Sequence, residues 1–361
     1  MGEYLKLSEV CRKESSNIAM KDLENRSGEY EIYGASGLIK KVDFYQQERP
    51  YIAIVKDGAG VGRVMKLPAK SSVIGTMQYI IPNEGIDVNF LAYALEHLNL
   101  AKYNTGATIP HIYFKDYCGE TIPAYSSNEQ KQIAGVLDRI SGLISLRKQQ
   151  LTKLDELVKS RFIELFGDPV NNPNRLPTKP LAELGSLDRG RSKHRPRNDP
   201  KLLGGPYPLI QTGEVSNAGL YITEYQNTYS ELGLKQSKMW SAGTLCITIA
   251  ANIAQTAILT FDACFPDSVV GFIPSDEIDA IYMHYWFSFF QKILDEQAPQ
   301  VAQKNINLKI LSELQVTIPS KEEQKEFVAF VIQTDKSKLA IQKSLEKLET
   351  LKKALMQKHF G

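Results

Sequence analysis

The densest concentration of chemically capable side chains is Arg189-Gly190-Arg191-Ser192-Lys193-His194-Arg195-Pro196-Arg197, with five Lys or Arg in nine residues. Guanidinium and ammonium groups at this density neutralise phosphates, and an arginine can also fork onto O6 and N7 of guanine. Gly190 and Pro196 keep the run irregular. Asn198, Gln211 and Thr212 follow closely and supply amide and hydroxyl groups suited to base edges. A second, less basic set lies upstream: Tyr33-Gly34-Ala35-Ser36-Gly37, then Lys40-Lys41, then Lys56 and Arg63. A third appears twice, as Asn104-Thr105-Gly106-Ala107-Thr108 and as Gln303-Lys304-Asn305. The candidate contact residues are therefore Ser36, Lys40, Lys56, Arg63, Asn104, Thr105, Thr108, Arg189, Arg191, Lys193, Arg195, Arg197, Gln211, Thr212, Lys304 and Asn305. Each segment alone also reads as an ordinary solvated loop.

Other chemistry lacks its residues. His97, His111, His194, His284 and His359 are scattered without HExxH spacing, and no serine sits in a GxSxG elbow. Asp57-Gly58-Ala59-Gly60-Val61-Gly62-Arg63 imitates a phosphate loop, but Arg63 stands where GxGxxG needs glycine and no GK[ST] follows. Cys11, Cys118, Cys246 and Cys264 have no metal-ligand spacing and read as reduced thiols. No catalytic residue, metal site or cofactor is expected in this chain. Its 361 residues carry 43 Lys and Arg against 41 Asp and Glu, so the net charge of +2 does not by itself grip a polyanion. Either local clusters or a basic partner must do so. Apolar runs are too short to span a bilayer, and Met-Gly-Glu-Tyr-Leu-Lys lacks the charge pattern of a secretory leader. The expectation is a cytoplasmic protein that does not engage membrane.

The elements that would carry these loops come in duplicate. Thr121-Ile122-Pro123 recurs as Thr317-Ile318-Pro319, Glu129-Gln130-Lys131 as Glu323-Gln324-Lys325, and Leu151, Leu154 and Leu157 as Leu345, Leu348 and Leu351, at offsets of 194–196. Tyr79–Pro82 matches Gly271–Pro274, and Phe90 and Tyr93 match Tyr282 and Tyr285, at 192. One unit has been used twice. Each holds short β-like runs (Tyr51–Val55 and Gln78–Ile81; Thr244–Ile249 and Ala257–Phe261), then a helical stretch near 88–102 or 280–295. An Ile-Pro element and a long charged segment with helical periodicity follow.

In the first long segment a 3.5-residue grid reads Leu137, Ile140, Ile144, Arg147, Leu151, Leu154, Val158, Arg161, Leu165. Moved by 194 it reads Val331, Thr334, Lys338, Ile341, Leu345, Leu348, Lys352, Leu355, His359. Each grid leaves an apolar seam in need of a mate. Leu137, Ile140, Ile144, Leu151, Leu154, Val158, Ile341, Leu345, Leu348 and Leu355 are the expected seam. The fold class is α+β: two similar mixed α/β domains separated by two long helices that form an antiparallel coiled coil. Residues 1–127 make the first domain, 128–168 the first spacer helix, 169–319 the second domain and 320–361 the second spacer helix.

Leu154-Asp155-Glu156-Leu157-Val158-Lys159-Ser160-Arg161-Phe162 runs into Glu164-Leu165-Phe166-Gly167-Asp168-Pro169. By this run, by the repeated Ile-Pro and Glu-Gln-Lys elements, and by the Tyr33–Gly37 and Asp57–Ala59 turns, the chain resembles the specificity subunits of type I restriction–modification systems. It implies two target-recognition domains, each reading half of a bipartite sequence in double-stranded DNA. It also implies two methyltransferase (modification) subunits docked on the helices and using S-adenosylmethionine. Restriction subunits using ATP and Mg would complete the larger complex. The chain would read DNA and leave DNA methylation and cleavage to its partners. The second unit departs from the first before its Ile-Pro element, where Ala298–Gln303 replaces the Gly106-Ala107-Thr108 turn. The alternatives are a protein scaffold without a DNA role and a stand-alone nuclease or methyltransferase.

Overall fold

A computed structural model describes residues 3–105, 109–194, 196–250, 253–290 and 306–361. Two compact units divide the chain: Met1–Gln150 with Ile341–Gly361, and Leu151–Ala340.

The first unit is built on an antiparallel sheet in the order Cys11–Ser15, Met77–Pro82, Tyr51–Val55, Val64–Leu67. All five residues of Tyr51–Val55 are buried, so both faces of this strand are covered. A three-stranded sheet of Gly37–Val42, Tyr30–Gly34 and Ser71–Val73 lies in the same unit. The helix Val88–His97 starts at Asp87, whose carboxylate accepts from the backbone N–H groups of Asn89 and Phe90. It is shorter than the apolar pattern suggests. Asn99 turns to φ +49°, and a separate short 3-10 helix, Leu100–Tyr103, follows.

The second unit repeats the plan. Gly185–Arg189, Val269–Pro274, Leu245–Thr248 and Thr256–Leu259 stand in the same order as their counterparts, with Tyr221–Ile222 added at the edge. Asp279 caps Ala280–Phe287 as Asp87 caps its equivalent. In both units the Ile-Pro region pairs with a strand from the unit's beginning: Thr121–Pro123 with Tyr4–Lys6, and Gln315–Thr317 with Thr178–Pro180.

The two long helices are Ser127–Phe166 and Lys321–Phe360, each about 60 Å of continuous helix. Each opens with the same reciprocal cap. Ser126 N–H and hydroxyl donate to Glu129 while Glu129 N–H returns to the Ser126 hydroxyl, and Ser320 with Glu323 does likewise. The first helix stops at Gly167, at φ +78°. Within each unit the helices run antiparallel. Lys148 pairs with Glu349 at 2.9 Å in the first, and Asp155 pairs with Lys338 and Arg161 with Glu326 in the second. Every position of both 3.5-residue grids is buried or half-buried, while most residues between them are exposed. Leu137, Ile140, Val158 and Leu345 are buried; Ile144, Leu151, Leu154, Ile341, Leu348 and Leu355 are half-buried.

The helix ends are anchored by aromatic rings. Phe166 meets Tyr282 at 5.0 Å in the second unit, and Phe360 meets Phe90 at 5.2 Å in the first, the same contact at equivalent positions. A residue pair missed in the sequence also recurs. Gln130 and Gln324, both buried, accept from the N–H of Asp87 and Asp279 respectively, at 2.9 Å. Their amides donate back to the carbonyls of Tyr125 and Pro319. Each glutamine thus ties the start of its long helix to the helix-capping loop of its domain.

Candidate nucleic-acid interface

In the first unit three of the polar segments converge. Ser36 is exposed on the tight turn joining Tyr30–Gly34 to Gly37–Val42. Arg63 closes the glycine-rich hairpin between Tyr51–Val55 and Val64–Leu67, and its guanidinium donates to the Ala35 carbonyl at 2.7 Å. The two turns are therefore linked. The hairpin needs its glycines for geometry: Gly62 sits at φ +84°, and a Cβ there would lie 2.5 Å from the backbone nitrogen of Ala101. Lys56 is half-buried, its ammonium 3.6 Å from Asp57.

Asn104 and Thr105 join the same edge through His111. The Asn104 Oδ1 accepts from the His111 N–H at 2.9 Å, and Thr105 N–H donates to the His111 carbonyl at 3.0 Å. His111 Nδ1 in turn bonds Asp57. Lys40 is employed differently, its ammonium donating to the carbonyls of Leu23 and Glu24 at 2.8 and 3.0 Å.

The basic run of the second unit starts at the end of the strand Gly185–Arg189 and is knitted into the fold by aspartates, through one backbone carbonyl and several carboxylates. Arg189 Nε donates to the Asp267 carbonyl at 2.6 Å, and Arg197 lies 2.6 Å from the Asp267 carboxylate. Arg191 lies 3.9 Å from Asp188, and His194 bonds Asp199 at 3.0 Å. Lys238, absent from the sequence-based set, donates to Asp188 at 2.9 Å and sits 3.8 Å from the centre of the Trp240 ring. That hydrogen bond holds the Asp188 carboxyl below the usual carboxylate range, so it stays ionised among the cations. Gly190 lets this backbone approach Phe265 and Pro266 closely, since a Cβ would stand 2.3 Å from the Pro266 carbonyl oxygen.

Lys193 remains exposed. Gln211 and Thr212 open the short helix Thr212–Asn217, with the Gln211 N–H bonded to Glu214 at 3.2 Å. Thr108, Arg195, Lys304 and Asn305 lie outside the described residues. Nothing in the sequence signals Asp267 as the partner of Arg189 and Arg197, because it lies 78 positions from Arg189.

Among the described residues no cluster of three His, Cys, Asp or Glu is arranged to hold a metal ion, and no helix is long and apolar enough to cross a membrane. Cys11, Cys246 and Cys264 are buried and unpaired, with Cys118 half-buried; burial pushes the Cys11 thiol up to about 12.

Comparison with known proteins supplies the family. The Type I restriction modification DNA specificity domain matches twice, over residues 3–156 and 176–353. The chain is 25% identical over 336 residues to the Type I restriction enzyme MjaVIII specificity subunit of Methanocaldococcus jannaschii, covering 84% of this chain and 77% of that protein. It is 23% identical over 293 residues to the putative type I restriction enzyme MjaX specificity subunit of the same organism, covering 76% and 68%. In fold it is similar to the type I restriction–modification S subunit from M. genitalium, with a TM-score of 0.64 at 16% identity, covering 100% of this chain and 96% of that one. With both repeats matched in order, the chain belongs to the type I restriction–modification DNA specificity family.

Proposed function

We propose that this chain is the DNA-reading subunit of a type I restriction–modification complex, non-catalytic in itself, with each unit reading one half of a split target. The observation that carries this is the duplication: one scaffold built twice, with different polar loops at the reading edges. Ser36, Arg63, Asn104 and Thr105 gather in the first unit, whereas the second uses the arginine-rich run and Gln211. The two halves of the target then differ in sequence. Each well-made bidentate contact contributes about 1–3 kcal/mol of discrimination. Linking the two readers makes the second binding event intramolecular, which multiplies affinity without new contacts.

Methylation with S-adenosylmethionine, and ATP- and Mg-dependent cleavage, belong in this reading to partner subunits. Apolar side chains left outside the helix seam support docking of such partners. Leu157 and Leu351, at equivalent positions of the two long helices, are 48% and 47% exposed, and Leu143, Leu146 and Leu339 are similarly uncovered. The recurrence of one such position on each helix supports two modification subunits per chain.

The test is adenine-methylation mapping on random-sequence DNA with this chain co-purified with its modification subunit. A split motif with a fixed gap is expected. Methylation without sequence preference would overturn the proposal and favour a scaffold.

A further inference from the structure

We infer that Asp57 and His111 form a latch that positions the reading loops of the first unit, and that Tyr113, carried on this latch, is the aromatic contact through which that edge meets a base. The inference rests on the reading of the unit as DNA-binding.

His111 is where three segments meet. Its N–H donates to the Asn104 side chain at 2.9 Å, its carbonyl accepts from Thr105 N–H at 3.0 Å, and its ring bonds the Asp57 carboxylate. An ionised carboxylate only accepts, so the ring proton sits on Nδ1. Backbone bonds flank this junction on both sides: Gly58 N–H to Pro110 at 2.9 Å and Ile112 N–H to Lys56 at 3.0 Å. Asp57 begins the hairpin that Arg63 closes, and Arg63 holds Ala35, the neighbour of Ser36. The chain of contacts from Asn104 to Ser36 therefore runs through this junction, where the Asp57–His111 bond adds a side-chain link to the two backbone bonds.

Tyr113 sits two residues beyond. Its ring packs edge-on against the His111 imidazole, with centroids 4.0 Å apart, yet the residue remains 51% exposed. Lys115 lies 5.3 Å from the Tyr113 ring, placing an ammonium beside the aromatic face. An outward aromatic ring with an adjacent cation, exposed on this edge, fits a base or thymine methyl beside a phosphate. The latch is private to this unit. At offsets of 192–196, Asp57 corresponds to residues within Ile249–Ile253 and His111 to residues within Gln303–Asn307, and neither stretch contains an acidic residue or a histidine.

That privacy gives the test. The full chain, co-purified with its modification subunit, is used to methylate random-sequence DNA, and base preference is scored separately for the two half-sites. His111→Phe and Asp57→Ala are expected to lower base preference about tenfold in one half, the loss of one hydrogen-bonded base contact. The other half and the thermal midpoint of the complex should stay unchanged. Asp57→Asn keeps an acceptor and should restore preference. Tyr113→Ala should relax one position of the same half, and Tyr113→Phe should not.

Unaltered preference in both halves for stably folded His111→Phe and Asp57→Ala overturns the latch. Equal loss in both halves, or loss tracking a fall in thermal midpoint, reduces the pair to a structural role and also overturns it. A wild-type complex with no split motif overturns the DNA-reading proposal itself, before any variant is compared.

Discussion

Gly62 in the first unit and His284 in the second show what single residues contribute to the scaffold. Gly62 and Gly85 both sit at positive φ, +84° and +82°, but only Gly62 faces backbone within van der Waals reach. Gly85→Ala meets only the conformational penalty, about 1–2 kcal/mol, whereas Gly62→Ala adds a clash with Leu100 and Ala101. Denaturant midpoints should rank Gly62→Ala clearly below Gly85→Ala; equal losses would show that the hairpin shifts freely.

His284 bonds the Thr256 hydroxyl at 3.0 Å, and burial, helped by Lys338 and Lys159, pushes its imidazole down to about 4. The unfolded chain takes up this proton near pH 6.5 and the folded chain only near pH 4. The contribution is thus complete above pH 6.5 and drains as pH falls towards 4, on the order of 3 kcal/mol in all. His284→Gln should flatten the stability slope across that window relative to wild type; parallel pH profiles would exclude the effect. Little of this was legible beforehand. Charge density marked the arginine run, but Asp267, which holds both Arg189 and Arg197, comes from a turn far along the chain. Lys40 looked like its basic neighbours, yet its ammonium turns back onto Leu23 and Glu24.

The elements were far more readable, because their signals are local. Heptad-spaced apolar residues mark both long helices, Ser127–Phe166 and Lys321–Phe360. The repeat was visible through Ile-Pro and Glu-Gln-Lys, although the work of the central glutamine was not. Sheet order escaped the sequence altogether, since these strands are short and pair over long separations. The helix near residue 88 looked longer than it is because Leu98 and Leu100 continue its apolar pattern past the left-handed Asn99. Gln130 and Gln324 give the element-scale prediction. Replacing either by Leu leaves a capping-loop N–H and a carbonyl without their partner, at about 1–3 kcal/mol for each buried group left unpaired. Unfolding monitored by denaturant should show a loss in both variants, the larger for Gln324→Leu, because the Gln324 amide also donates to the Glu277 carbonyl at 3.1 Å. A loss confined to one of them would mean the repeated contact carries different weight in the two units.

At the scale of the whole molecule, the proposal turns on helix length. Arg147 and Lys148 lie where Lys148 faces Glu349, so a heptad inserted after Arg147 and another after Glu349 keep both seams in phase. Seven residues add about 10 Å of helix, close to the rise of three base pairs. If the paired helices set the gap between half-sites, the double insertion should shift the preferred gap in methylation mapping by about three base pairs, with both half-sites read as before. A single heptad in the first helix alone puts one helix out of step with its mate, and should abolish the split motif or scatter its gap. The two insertion variants separate a ruler from a tether. A flexible tether would tolerate a range of gaps in every variant, whereas a ruler moves only when both helices grow together. An unchanged gap in the double insertion would mean that partner subunits, rather than this chain, fix the distance between the two halves of the target.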